Sequence, residues 1–147
     1  MTSIPVYMTA KHRECDDIFT EAESAVADNN WVLGLDKWQA FSQELAAHFA
    51  QEEDTLFPEF EQATGMTGGP TQVMRMEHQQ MRALVQNLTS AMTDKDKETF
   101  LGLSETLMVM MQQHNMKEEM MLYPMLAQNL SQGEELIAGF ETANSTT

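Results

Sequence analysis

Two segments of the chain, HFAQEEDTLFP over 48–58 and HNMKEEMMLYP over 114–124, place a histidine, a Glu-Glu pair, a leucine, an aromatic residue and a proline at identical spacing. Packing preserves apolar residues, yet the shared positions here are largely polar. On a helix, residues i and i+4 lie on one face about one turn, roughly 5.4 Å, apart. His48 and Glu52 therefore face the same way, as do His114 and Glu118. Imidazole nitrogen and carboxylate oxygen on a common face form a donor set suited to transition metals.

The repeat extends beyond these segments. The offset of 66 between positions 48 and 114 also separates 12 from 78, so all four histidines pair, His12 with His78 and His48 with His114. Glu53 pairs with Glu119, Pro58 with Pro124 and Met8 with Met74, while most other positions differ, as in a weak or old duplication. Two helical hairpins related by a pseudo-two-fold axis form a four-helix bundle in which every helix brings one histidine to a common depth and two also bring a carboxylate. Burying that set is costly unless a partner offsets the desolvation. Two divalent or trivalent cations have the right charge and ligand preference, so the spacing predicts a dinuclear metal site. A single helical histidine is more often a surface or hydrogen-bonded residue, and a Glu-Glu pair is usually a solvated face; the offset relating all four histidines is what favours ligation.

The elements that position these residues read as helices. Apolar residues recur at three and four spacing in LDKWQAFSQELAAHFAQEEDTLF and ETFLGLSETLMVMMQQHNMKEEMMLY, without the Gly and Pro clusters that bound strands. The pattern predicts helices over 5–28, 33–63, 70–93 and 97–130, with the break GMTGGP between the halves and Pro5 and Pro70 near helix starts. Pro58 and Pro124 clash with the carbonyl four residues earlier, so the second and fourth helices are expected to kink or end there. SQGEELIAGF adds a short helix after Leu130, and ANSTT is expected to fray. The organisation is one domain over 1–147, with repeat halves at about 5–64 and 70–130 and a tail over 131–147.

Composition narrows the remaining classes. A formal net charge of -15 repels phosphate backbones and anionic membranes, so neither nucleic acid nor membrane is expected as a partner. No signal peptide or membrane-spanning stretch is evident, which points to a soluble cytoplasmic protein. Cys15 is the one cysteine, leaving histidine and carboxylate to hold any metal. The 14 methionines read as filling for a soft helical core rather than as a copper site. Cys15, one turn from His12, is either a redox-sensitive thiol or a small core residue, and the core role is favoured. Tyr7 and Tyr123 can approach the centre or donate a proton there, but Tyr123 aligns with Phe57, which favours aromatic packing.

At KHRECDDIF, HFAQE, MRMEHQQM and HNMKE the chain resembles the hemerythrin-like family, the HHE cation-binding domain, over nearly its whole length. The resemblance implies an all-α, up-down-up-down four-helix bundle holding a non-heme di-iron centre. It implies that His12 and His48 bind one iron and His78 and His114 the other, with Glu52 and Glu118 bridging both alongside an oxo, hydroxo or water bridge. Oxygen-carrying members place a fifth histidine where this chain has Met74, and take their last carboxylate at the position of Glu119. The first departure leaves a more symmetric and open pair of irons; the second sets Glu118 against Glu119, with Glu118 favoured because it repeats the geometry of Glu52. Met8 and Met74, whose thioethers suit ferric iron poorly, wall the pocket. Glu53 and Glu119 either accept hydrogen bonds from histidine or are solvated neighbours.

The function expected from this resemblance is a cytoplasmic, bacterial-type protein that binds or senses O2, NO or peroxide at the iron pair. Two alternatives share the same ligands: a di-iron enzyme or repair factor that turns over peroxide or NO or donates iron, and an iron sensor that works by metal-coupled folding. A metal-free helical interaction module is the fourth class.

Overall fold

The computed structural model describes residues 2–145. Its bundle is built from four long elements. Helix α1 spans Ile4–Ala27 and α2 spans Trp31–Gln51; a π-helical turn over Glu52–Leu56 leads into α3, Phe57–Thr64. The second half repeats this order with α4 over Pro70–Thr93, α5 over Lys97–Lys117, a π-helical turn over Glu118–Leu122 and α6 over Tyr123–Asn129. A final helix, α7, covers Gly133–Ser145. Helix α1 packs along α2 and α4 along α5, and the two hairpins meet through α1 with α5 and α2 with α4. Among the described residues there is no strand, and no helix is long and apolar enough to cross a membrane.

The offset of 66 governs backbone as well as sequence, since α1, α2 and the first π turn start and end 66 residues before α4, α5 and the second. Both hairpin turns use the same device. Asn29 and Lys95 adopt positive φ angles of 61° and 53°, and the next residues, Asn30 and Asp96, accept from the backbone N–H groups of Leu33 and Thr99. Asn30 N–H and Asp96 N–H also return to the carbonyls of Ala25 and Ala91, at 2.8 and 2.9 Å, which closes the preceding helix end. The left-handed backbone is natural for Asn29 and costs a lysine roughly 1–2 kcal/mol. Between the halves, Gly65 ends α3 at φ 72°, a conformation that a Cβ disfavours, and Pro70 begins α4.

The prolines neither stop nor simply kink their helices. Phe57 N–H bonds to the Glu52 carbonyl and Tyr123 N–H to that of Glu118, five residues back instead of four. The wider turn relieves the clash at the carbonyls of Asp54 and Met120, and Pro58 and Pro124 then sit at the starts of α3 and α6, where a missing N–H is tolerated. The fraying expected of ANSTT is corrected for Ala143–Ser145, which α7 includes; Thr146 and Thr147 lie outside the described residues.

Two apolar clusters fill the bundle. One, towards the hairpin turns, centres on Phe19, Trp38, Phe41, Phe100 and Leu107; the other, towards the opposite end, centres on Met8, Leu56, Phe57, Phe60, Tyr123 and Leu126 and is covered by Ile137 of α7. Methionine fills part of this core, with Met8, Met74, Met81, Met92 and Met111 buried, but Met66, Met76, Met116, Met120 and Met121 are exposed, so core packing accounts for only some of them. In the first cluster Phe41 is fully buried against Phe19 and Trp38, at ring distances of 5.1 and 5.2 Å. Phe41→Ala is expected to cost about 3–5 kcal/mol of stability, read as a lower midpoint in urea unfolding.

Candidate metal centre

Between the two apolar clusters lies a polar layer. His12 from α1, His48 from α2, His78 from α4 and His114 from α5 are all buried, and Glu52 and Glu118, the first residues of the π turns, are completely so. The imidazole rings of His12 and His48 lie 4.8 Å apart, and those of His78 and His114 lie 4.9 Å apart. Donor atoms fall into two overlapping groups, His12, His48, Glu52 and Glu118, and Glu52, His78, His114 and Glu118, each with its atoms within 4.8 Å of one another. The two carboxylates belong to both groups. All six sequence-derived candidates are thus brought together, while Cys15 packs in the apolar cluster with Phe19 and burial pushes its thiol up to about 12.

The outer nitrogens of three of the histidines fix their tautomers. His78 Nδ1–H donates to Glu53 at 2.6 Å and His12 Nδ1–H to Glu119 at 2.7 Å, a pair of bonds related by the same offset and each crossing between halves. His114 Nδ1–H donates to Glu77 at 2.7 Å. Glu53 is gripped by both guanidinium arms of Arg82, at 2.8 and 3.0 Å, and Glu77 by Lys117. Partial burial opposes ionisation of Glu53 and Glu77, but these cations and the histidines outweigh it and hold both carboxyls below their usual range. Glu53 and Glu119 are therefore hydrogen-bond acceptors for histidine rather than freely solvated neighbours.

With Nδ1 carrying the proton, Nε2 presents a lone pair inward. His78 Nε2 lies 3.0 Å from Glu52 Oε1 and His114 Nε2 lies 3.2 Å from Glu118 Oε1, yet neither nitrogen has a hydrogen-bond partner. Glu52 Oε1 and Glu118 Oε2 are likewise buried and without one. Opposed acceptors in a dry interior are costly unless a proton or a metal cation lies between them. The two groups could hold metal cations, and residues 4–126 match the hemerythrin HHE cation-binding domain.

The chain belongs to the hemerythrin HHE family. An uncharacterized hemerythrin-like protein of Schizosaccharomyces pombe is 29% identical over 138 residues, covering 92% of this chain and 65% of that protein, so the chain spans just under two thirds of its relative's length. No solved structure gives a significant match. Helix α7 lies beyond the matched segment and closes the end of this hemerythrin-like bundle, where Phe140 packs on Tyr7 at a ring distance of 6.0 Å.

Electrostatics within the hemerythrin-like centre follow from burial. Desolvation, then His12, lowers His48 to about 3, and desolvation lowers His78 to about 4, so both rings stay neutral. Burial and the adjacent Glu118 carboxylate push Glu52 well above the ordinary carboxylate range. Glu118 moves the other way, held well below that range despite its burial by the neighbouring Glu52, His114 and His12, so the proton rests on Glu52.

One residue of the centre was misread from sequence. Tyr123 is not only an aromatic filler in the place of Phe57. Its hydroxyl donates to Glu52 Oε2 at 2.6 Å and lies 3.0 Å from both Glu118 Oε1 and His12 Nε2. Burial and the two carboxylates raise its pKa well above the ordinary phenol value, so it holds its proton. The signal was present as the difference between Phe57 and Tyr123 at otherwise repeated positions, but only the packing shows that the ring tip reaches the polar layer. Tyr123→Phe removes a buried donor from two carboxylates and is expected to destabilise the metal-free protein by about 1–3 kcal/mol, read as a lower unfolding midpoint in the presence of chelator.

Proposed function

We propose that the chain is a carboxylate-bridged di-iron protein that binds or senses a small ligand such as O2, NO or peroxide. The observation that carries this reading is the pair of buried, unpartnered histidine Nε2 atoms facing carboxylate oxygens, which calls for metal ions rather than hydrogen bonds. In this reading His12 and His48 hold one ion, His78 and His114 the other, and Glu52 and Glu118 contribute to both. Nitrogen and oxygen donors without thiolate suit iron, manganese and zinc, and membership of the hemerythrin family favours iron. Bound iron would supply redox-active, Lewis-acidic positions for a small molecule.

The protein's own residues have three tasks. Glu53, Glu77 and Glu119 orient the imidazoles and raise their basicity through Nδ1. The apolar clusters above and below the polar layer exclude water, with Phe49 stacked on His78 at 3.9 Å. Tyr123 holds a proton at its hydroxyl, beside both shared carboxylates. That last observation also favours a second reading, turnover of peroxide, for which a buried proton donor is useful. Sustained peroxide consumption by iron-loaded protein, lost in Tyr123→Phe with the iron retained, would distinguish turnover from binding. The proposed location is the cytoplasm, consistent with a lone buried cysteine.

Iron analysis together with visible absorption, recorded anaerobically after reduction and again after admission of air, tests the reading directly. Two irons per chain and a new charge-transfer band on aeration are expected; folded protein unable to take up iron would overturn it. Glu52→Ala should cost both irons, since one carboxylate serves both positions. Chelation should lower the melting temperature by on the order of 10 °C, from the roughly 4 kcal/mol that a ligand present at a thousand times its Kd contributes to a domain of this size.

A further inference from the structure

The internal symmetry fails at three places, and all three failures bear on the same half of the centre. The first is at His48. Its Nδ1 is buried without a partner, whereas the equivalent nitrogen of His114 donates to Glu77 at 2.7 Å. The offset that relates His48 to His114 puts Lys11 at the position of Glu77, so a cation stands where the other half has the acceptor. Lys11 turns instead to Glu14, at 3.1 Å. The second is at Gln51, the counterpart of Lys117. Lys117 fixes Glu77 behind His114, while Gln51 donates to the hydroxyl of Tyr7 at 3.3 Å and supports no histidine acceptor.

The third is Tyr123 against Phe57. The Tyr123 hydroxyl lies within 3.5 Å of an atom of each residue in the first group: 2.6 Å from Glu52 Oε2, 3.0 Å from Glu118 Oε1, 3.0 Å from His12 Nε2 and 3.5 Å from His48 Nε2. Phe57 brings no oxygen to the second group, and its ring stacks on His78 at 5.9 Å. An ion entering beside His12 and His48 must break the hydrogen bonds of that hydroxyl. One entering beside His78 and His114 finds Glu52 Oε1 and Glu118 Oε2 without partners and both imidazoles backed by carboxylates, Glu53 and Glu77.

We propose that the two metal positions are unequal and fill in order, the His78–His114 position first and tightly, the His12–His48 position second and exchangeably. The proposal rests on the metal-centre reading above. A carboxylate behind a ligating histidine raises its basicity, and losing such an acceptor typically weakens metal binding about 10–100-fold. The acceptor absent behind His48 therefore sets the gap between the two steps at about that size. The exchangeable position is the one at which a small molecule would meet an ion held less firmly, next to the Tyr123 proton.

Anaerobic calorimetric titration of the metal-free full chain with Fe2+ tests the order. Two resolved steps are expected, the first at least about tenfold tighter than the second. Glu77→Gln, close in size to the residue it replaces, should weaken the tight step and bring the two together, and Tyr123→Phe should strengthen the weak step alone. Two equal steps, an unchanged tight step in Glu77→Gln, or an effect of Tyr123→Phe confined to the tight step overturns the proposal. Protein that takes up no ion at all refutes the metal-centre reading itself, whereas two equivalent ions refute only the inequality.

Discussion

Everything in this bundle is arranged around the cost of burying four imidazoles and two carboxylates in one layer. Apolar clusters lie on either side, so water cannot solvate the layer from above or below. Protein hydrogen bonds satisfy most of its outer face, through Glu53, Glu77 and Glu119, and on the inner face the Tyr123 hydroxyl reaches Glu52 and Glu118. The rest of the inner face, His78 Nε2, His114 Nε2, Glu52 Oε1 and Glu118 Oε2, is left without partners, an arrangement that a covalently unchanged protein holds stably only by sharing protons or by taking up cations.

The outer ring of charges has a corresponding role. Arg82 and Lys117 do not reach the layer; they hold Glu53 and Glu77, which hold His78 and His114. Arg75 extends the same ring by bonding Glu61 at 3.2 Å and the Glu53 carbonyl at 3.3 Å. In a chain with only 8 Lys and Arg against 23 acidic residues, several of the scarce cations are thus committed around the second half of the centre. The first half is supported by Glu119, about a third exposed, and by no comparable cation clamp among the described contacts. Symmetry of ligands therefore coexists with asymmetry of support.

The π turns connect backbone to chemistry. Each begins at the shared carboxylate and ends just before the proline two residues further along, and each replaces a four-residue hydrogen bond with a five-residue one. The proline supplies the local reason for the wider turn, and the carboxylate supplies the functional one. Both sit at the same offset in the two halves, so one local distortion, written twice, aims both Glu52 and Glu118 into the layer.

Much of this was legible in the chain itself. Helical periodicity located the four long elements, and the 66-residue offset selected the six polar residues, because covalent spacing on a helix decides which side chains share a face. The same periodicity could not distinguish a kink from a π turn, since both answer the proline clash. Nor could it choose between solvation and hydrogen bonding for Glu53 and Glu119, whose partners come from the other half of the molecule. Tyr123 and Lys11 mark the limit most clearly. Each differs from its repeat partner by a side chain whose consequence depends on what a separate helix presents within about 3 Å, a typical hydrogen-bond distance. Sequence fixes types and faces; only tertiary packing brings a phenol to one half of the centre and leaves one histidine of that half without its acceptor.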